Sequence, residues 1–234
     1  MDNRVKIPDG WNQLVNEKQK EAIEHTHGPL LIVAGAGSGK TRVLTYRYAH
    51  LVMNHSISYS NILAITFTNK AANEMKERIS KLLGLEIHPK WISTFHSSCV
   101  KILRTHGYLI GYKTNFTIYD QSDSSKLIRN CMRDNNVDLK QYSPIGFQAS
   151  ISSLKNMRIS PGEAIESAET FFDVKVAEIY TSYEKKLMLA NSMDFDDLLL
   201  KTVDLLETNE EALNFWSSKF QFIMVDEYQD TNLV

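Results

Sequence analysis

Leu30-Leu31-Ile32-Val33-Ala34-Gly35-Ala36-Gly37-Ser38-Gly39-Lys40-Thr41 is the stretch on which the reading of this chain turns. Five apolar residues in a row, ended by glycines, have the pattern of a strand buried on both faces. Thr41 to Met53 then reads as a helix. A strand that passes through a glycine-rich turn into a helix is the setting of a phosphate-binding loop. Glycines let backbone N–H groups turn inward onto phosphate oxygens, and the helix N-terminus adds partial positive charge. Ala34, Gly35, Ala36, Gly37, Ser38 and Gly39 would form the cradle, with Ala34 standing where the general pattern has glycine. Lys40 would contact the β- and γ-phosphates, and the Thr41 hydroxyl would ligate Mg²⁺.

Outward from the loop, strands and helices alternate. Asn61 to Phe67 reads as a second strand, and Ala71, Ala72, Met75, Ile79, Leu82 and Leu83 then share one helical face, with Gly84 placed to cap it. Trp91 to Ser93 reads as a short strand, Phe95 to His106 as a helix and Phe116 to Ile118 as a further strand. This alternation predicts an α/β fold: a parallel sheet with helices on both faces and right-handed crossovers. After Asp120 the pattern changes. Leu127, Ile128, Cys131 and Met132 mark one amphipathic helix, and Val176, Ile179, Tyr180, Tyr183 and Leu187 another. Proline, glycine and serine break up the stretch between them. Residues 120–190 are therefore expected to form an all-helical insertion in a sheet domain made of 1–119 and 191–234. The sheet pattern resumes with a helix over Phe195 to Leu206 and a strand over Phe220 to Val225.

The chain has 234 residues, 43% of them hydrophobic and 23% charged, the composition of a folded domain rather than a disordered segment. Its apolar runs fall well short of the roughly 20 residues of a membrane-spanning helix, and its first residues lack the core of a secretory signal. Cys99 and Cys131 are too few for a disulfide framework. A cytoplasmic protein is the expectation. The net charge of −2 hides an asymmetry. Asn69 to Lys113 carries eight basic residues against three acidic ones, whereas Ser160 to Val234 carries five against sixteen. The first of these stretches could hold a polyanion, although charge runs more often mark solvated helix faces.

A phosphate loop needs a carboxylate for its metal and a group to activate water. Phe222 to Val225 followed by Asp226-Glu227 offers both at the C-terminal end of a strand, where α/β sheets bind ligands. Asp226 would hold Mg²⁺, and Glu227 would orient and deprotonate the attacking water. Gln19, upstream of the first strand, could donate to and accept from the adenine edge and so select ATP over GTP. In isolation it reads as a surface residue.

Taken together the residues resemble the N-terminal half of a UvrD/Rep/PcrA-type superfamily-one DNA helicase. Val15 to Gln19 is similar to that family's adenine-reading motif, and Ala34 to Thr41 to its A-G-A-G-S-G-K-T loop, which accounts for Ala34. Thr66-Phe67-Thr68-Asn69-Lys70-Ala71-Ala72 resembles motif Ia, Thr94-Phe95-His96 motif Ib, and Asp226-Glu227-Tyr228-Gln229-Asp230 the D-E-x-Q-D motif. The resemblance implies a RecA-like P-loop domain with a helical inserted subdomain. It places Arg42 near the adenine and Gln229 at the γ-phosphate, as sensor. Thr66, Phe67, Asn69, Lys70, Thr94 and His96 would face single-stranded DNA. ATP and Mg²⁺ are the implied cofactors. The implied partner is single-stranded DNA, or DNA with a single-stranded tail, and the implied activity is ATP-dependent 3′-to-5′ translocation and unwinding. A stacking face at Phe67 and phosphate-binding groups at Asn69 and Lys70 suit sequence-independent binding. Without the motif, Phe67 reads as a core aromatic closing a strand, and His96 as a cap or surface residue.

Motifs III to VI and the second motor domain, with its arginines for the γ-phosphate, are not in the sequence. This implies an N-terminal piece of a helicase, weakly active or inactive alone. Three other readings stay open. A helicase–nuclease subunit would need a downstream carboxylate–lysine cluster. A nucleotide-gated DNA-binding module would turn over negligibly. A small-molecule P-loop kinase would need an arginine-bearing lid, and the acidic segment after Ser160 has no arginine.

Overall fold

The computed structural model describes residues 11–35, 37–84, 89–231 and 234. It contains α1 (Glu17–Glu24), α2 (Lys40–Asn54), β1 (Ile62–Thr66), α3 (Asn69–Leu83), β2 (Ile92–Thr94), α4 (Phe95–His106) and β3 (Thr117–Ile118). Then come α5 (Gln121–Asp134), α6 (Pro144–Asn156), α7 (Pro161–Glu166), α8 (Phe171–Leu189), β4 (Ser192–Met193), α9 (Phe195–Thr208), α10 (Glu210–Lys219) and β5 (Phe222–Val225). Among the described residues no helix is long and apolar enough to cross a membrane. The chain divides into two compact units. Among the described residues, one comprises those up to Ser98 together with Asn214–Thr231, and the other Cys99–Leu213 with Val234. The second is wider than the insertion expected at 120–190, because β3 pairs with β4 and α6 packs against α9 within it.

The first unit is built on a three-stranded parallel sheet in the order β2-β1-β5. All five residues of β1 are buried, the signature of a central strand covered on both faces. Ala64 stands beside Ile92 on one side and Met224 on the other. Around it Tyr48 and Leu51 of α2, with Met75 and Ile79 of α3, close one continuous core. Parallel pairing puts the carboxyl ends of all three strands on one edge of the sheet. Thr66, Thr94 and Val225 therefore deliver the segments that follow them to the same side.

Helix ends follow local chemistry. Thr68 caps α3 by accepting from the Ala71 N–H at 3.1 Å, and Gly84 closes it in the left-handed conformation. The Ser-Pro pairs that look like breaks in the sequence are helix starts. Ser143 and Ser160 are the N-caps, and Pro144 and Pro161 occupy the first turns of α6 and α7.

Two expectations are corrected. Leu30–Ala34 does not form a strand, and Leu31 and Val33 are 74% and 88% exposed. Apolarity shows what a segment could gain by burial, but a strand also needs a ladder partner for its carbonyls. Leu30–Ala34 joins no ladder, since the sheet among the described residues runs β2-β1-β5 without it. The strand at Phe116 to Ile118 exists only as β3, and it joins the two-residue β4 in a separate small sheet rather than extending the main one.

The second unit is almost wholly helical. α5, α6, α7 and α8 pack Ile128, Met132, Phe147, Ile151, Ala164, Val176, Tyr180 and Leu187 into one core. At its polar centre Lys155 is fully buried, 2.7 Å from Glu184, 2.8 Å from Asp194 and 2.7 Å from Asp197. Asp194 and Asp197 also form the capping box of α9, so one ammonium ties the start of α9 to α6 and α8.

Candidate active site

The described residues expected around a nucleotide all belong to the first unit. Gly37 and Gly39 adopt positive φ, +77° and +89°, values that glycine tolerates and other residues rarely adopt. Gly39 is the N-cap of α2 and supplies no side-chain acceptor, so the first-turn N–H groups remain available for an anion. Lys40 Nζ lies 3.1 Å from the Ala34 carbonyl and 3.4 Å from that of Gly35, folded back over the loop. Ala36 lies outside the described residues.

Across from the loop, the sheet ladder continues one residue past β5. The Asp226 N–H donates to the Ile65 carbonyl at 2.9 Å, which fixes where the Asp226 carboxylate emerges. The Thr41 hydroxyl donates to Asp226 Oδ2 at 3.3 Å. Burial, and next the charge of Glu227, push the Asp226 carboxyl above its ordinary value, against the opposing pull of Thr41 and Lys40. A hydroxyl and a carboxylate converging beside phosphate-binding N–H groups form a hard oxygen donor set, which suits Mg²⁺.

Glu227 is exposed and holds a left-handed backbone at φ +52°, an uncommon conformation for a side chain of this size. Gln229 Nε2 donates to Glu227 Oε2 at 2.6 Å, so the glutamine amide steadies that carboxylate. Gly37, Gly39, Lys40, Thr41, Arg42, Arg78 and Glu227 line one cleft of about 570 Å³. On its outer side, a Cβ placed on Gly39 would sit 3.2 Å from Arg42 Nη2 and 3.4 Å from Gln19 Nε2. Gln19 Nε2 itself donates to the Ser38 carbonyl at 2.8 Å.

A sequence model of the UvrD/REP helicase N-terminal domain matches residues 15–234. The chain belongs to the UvrD/REP helicase family. It is 48% identical over 218 residues to the ATP-dependent DNA helicase PcrA of Staphylococcus aureus strain NCTC 8325. It is 49% identical over 218 residues to that of Staphylococcus epidermidis strain ATCC 12228. Each alignment covers 93% of this chain and 30% of the relative, so the chain spans under a third of the length of the relatives it matches.

In this UvrD/REP chain the remaining motif residues separate by environment. Phe67 is 58% exposed immediately after β1, not a core aromatic, and Asn69 and Lys70 are exposed on the first turn of α3. Thr66 and Thr94 are buried. The Thr66 hydroxyl donates to the Thr68 carbonyl at 3.1 Å, and Thr94 Oγ1 lies 3.0 Å from Ser97 Oγ while accepting from the Ser97 N–H. These two threonines build the turns at the sheet edge. His96 is half-buried at the start of α4. Arg78 was not legible as a site residue: it follows Lys70 by two helical turns, and only the packing of α3 beside the loop brings it to the cleft.

Proposed function

We propose that this chain is the nucleotide-binding part of an ATP-dependent DNA helicase that couples ATP hydrolysis to 3′-to-5′ movement along single-stranded DNA. The observation that carries the reading is the meeting of Thr41 with Asp226 beside Lys40 at the end of a glycine loop. On this reading the N–H groups of the loop and of the first turn of α2 bind the phosphates. Lys40 leaves the Ala34 and Gly35 carbonyls for the β- and γ-oxygens. Thr41 and Asp226 hold Mg²⁺, which when bound neutralises charge on those oxygens. Glu227 takes the proton of the attacking water, and Gln229 aims it and senses the γ-phosphate. Gln19 and Arg42 receive the adenine.

Phe67, Asn69 and Lys70 are proposed to face the DNA strand, Phe67 as a stacking platform and the other two on phosphates. Support comes from their exposure at the carboxyl edge of the sheet that also carries Asp226. Thr66, Thr94 and His96 shape that edge. The protein is read as cytoplasmic, acting on DNA with a single-stranded tail. ATP hydrolysis by the full-length protein, with and without single-stranded DNA, tests this reading. Stimulation by the strand is expected, and turnover indifferent to DNA would overturn it.

A further inference from the structure

The Gln19 amide is already half committed. Its Oε1 accepts from the Asn16 N–H at 3.0 Å and its Nε2 donates to the Ser38 carbonyl at 2.8 Å. A primary amide has two donor hydrogens and two acceptor lone pairs, so one of each remains. That remainder matches the N6–H donor and N7 acceptor of adenine, whereas guanine presents two acceptors on the same edge. The two existing bonds fix which amide atom points where. Base preference therefore depends on how exactly the start of α1 sits against the loop.

α1 is only two turns long and would be marginal by itself. It buries just Ala22 and Ile23, against Val43, Trp11, Val15 and Tyr46. Its far end is held by a charged group. The guanidinium of Arg47, two turns along α2 from Lys40, is buried and its Nη1 donates to the Ala22 carbonyl at 2.9 Å and to the His25 carbonyl. These are carbonyls of the last turn and C-cap, which lack partners within the helix and form the negative end of its dipole. One side chain thus ties α1 to the helix that carries the phosphate loop.

We infer that Arg47 is a positioning residue for base selection, holding α1 so that the Gln19 amide keeps the orientation that accepts adenine over guanine. The inference rests on the reading of Gln19 as the base-reading side chain.

Competition of ATP and GTP against methylanthraniloyl-ADP, on this chain and its variants, tests both. Arg47→Met is expected to lower the ATP-over-GTP preference about tenfold, the scale of losing a well-placed hydrogen bond or two, with GTP affinity held within about twofold. Arg47→Lys, which keeps one charged donor, should restore part of the preference, and it carries the test should Arg47→Met lose its helical circular dichroism. In a Gln19→Ala background Arg47→Met should change the preference no further. Equal weakening of ATP and GTP, or an intact preference in both Arg47 variants, overturns the role of Arg47. If Gln19→Ala keeps the wild-type preference, or the wild type has none, the base-reading assignment itself falls. Loss in Gln19→Ala with retention in the Arg47 variants removes only the inference about Arg47.

Discussion

The Thr41 hydroxyl donates to Asp226 Oδ2 at 3.3 Å although 185 positions of sequence separate the two residues. Thr41 arrives on the first turn of α2, and Asp226 is set by the ladder bond from its N–H to Ile65. Two elements that share no local sequence meet because β1 fixes Asp226 while α2 packs on the same core.

Asp226→Asn keeps the shape and removes the charge. Adding Mg²⁺ should tighten nucleotide binding to the wild-type chain and leave the variant nearly unaffected, as read by titration with a fluorescent nucleotide. The wild-type effect should also weaken on acidification, earlier than for an exposed aspartate, because burial and Glu227 raise the Asp226 carboxyl and a proton competes with the metal. A Mg²⁺ effect retained in Asp226→Asn would remove the carboxylate from the metal site.

Glu227→Gln preserves an oxygen that can accept from Gln229 Nε2, now 2.6 Å from the carboxylate. Nucleotide affinity is expected to persist, while turnover in the full-length protein falls about 10²- to 10⁴-fold, the span of a lost general base. Rapid-quench hydrolysis at saturating ATP measures it, and unchanged turnover would reject the assignment.

Phe67→Ala should weaken single-stranded DNA binding by about 1–3 kcal/mol if bases stack on the exposed ring. The residual affinity should still fall steeply with salt, since the phosphate contacts proposed for Asn69 and Lys70 would be kept. Fluorescence anisotropy over a salt series checks both. An unaltered affinity in the variant would move the strand elsewhere.

Lys155 anchors the helical unit, and Lys155→Met strands Glu184, Asp194 and Asp197 around an apolar chain. Breaking such a buried cluster typically costs about 3–5 kcal/mol, measurable by urea unfolding. The cluster also couples stability to pH. Burial pushes the Asp197 carboxyl up to about 7 from 3.8, so the folded state holds a proton that the unfolded state releases between those values. Its contribution is full below 3.8 and is lost as pH rises to about 7. Asp194 has the opposite sign: its carboxyl is held below 3.8 in the fold, so its contribution is lost on acidification through that lower range. The stability of wild type minus that of Asp197→Asn should therefore decline from pH 5 to pH 8, and a flat difference would contradict the shift.

Much of the site could be read in the sequence because its chemistry is local. Gly39-Lys40-Thr41 and Asp226-Glu227 each carry their own signature in sequence, and the structure brings Thr41 and Asp226 together, while Phe67 is exposed. The failures came where a residue's meaning lies in distant partners. Leu30–Ala34 has the apolarity of a strand, yet it joins no ladder in the β2-β1-β5 sheet. Pro144 and Pro161 look like breaks but begin helices, because the missing N–H is one that a first turn does not use. Lys155 is an ordinary lysine until α8 and α9 fold around it, and Arg47 and Arg78 reach the end of α1 and the cleft only through helix packing that no local sequence reveals.

A triphosphate is proposed to bind in the cleft lined by Lys40 and Glu227. Isothermal titration of Mg-ATP into this chain and into Lys40→Ala tests it most directly. Binding by the wild type is expected, with a constant at least about tenfold weaker in the variant, since a charge-assisted phosphate contact is worth about 1.5–3 kcal/mol. Equal affinity in the two proteins would contradict it.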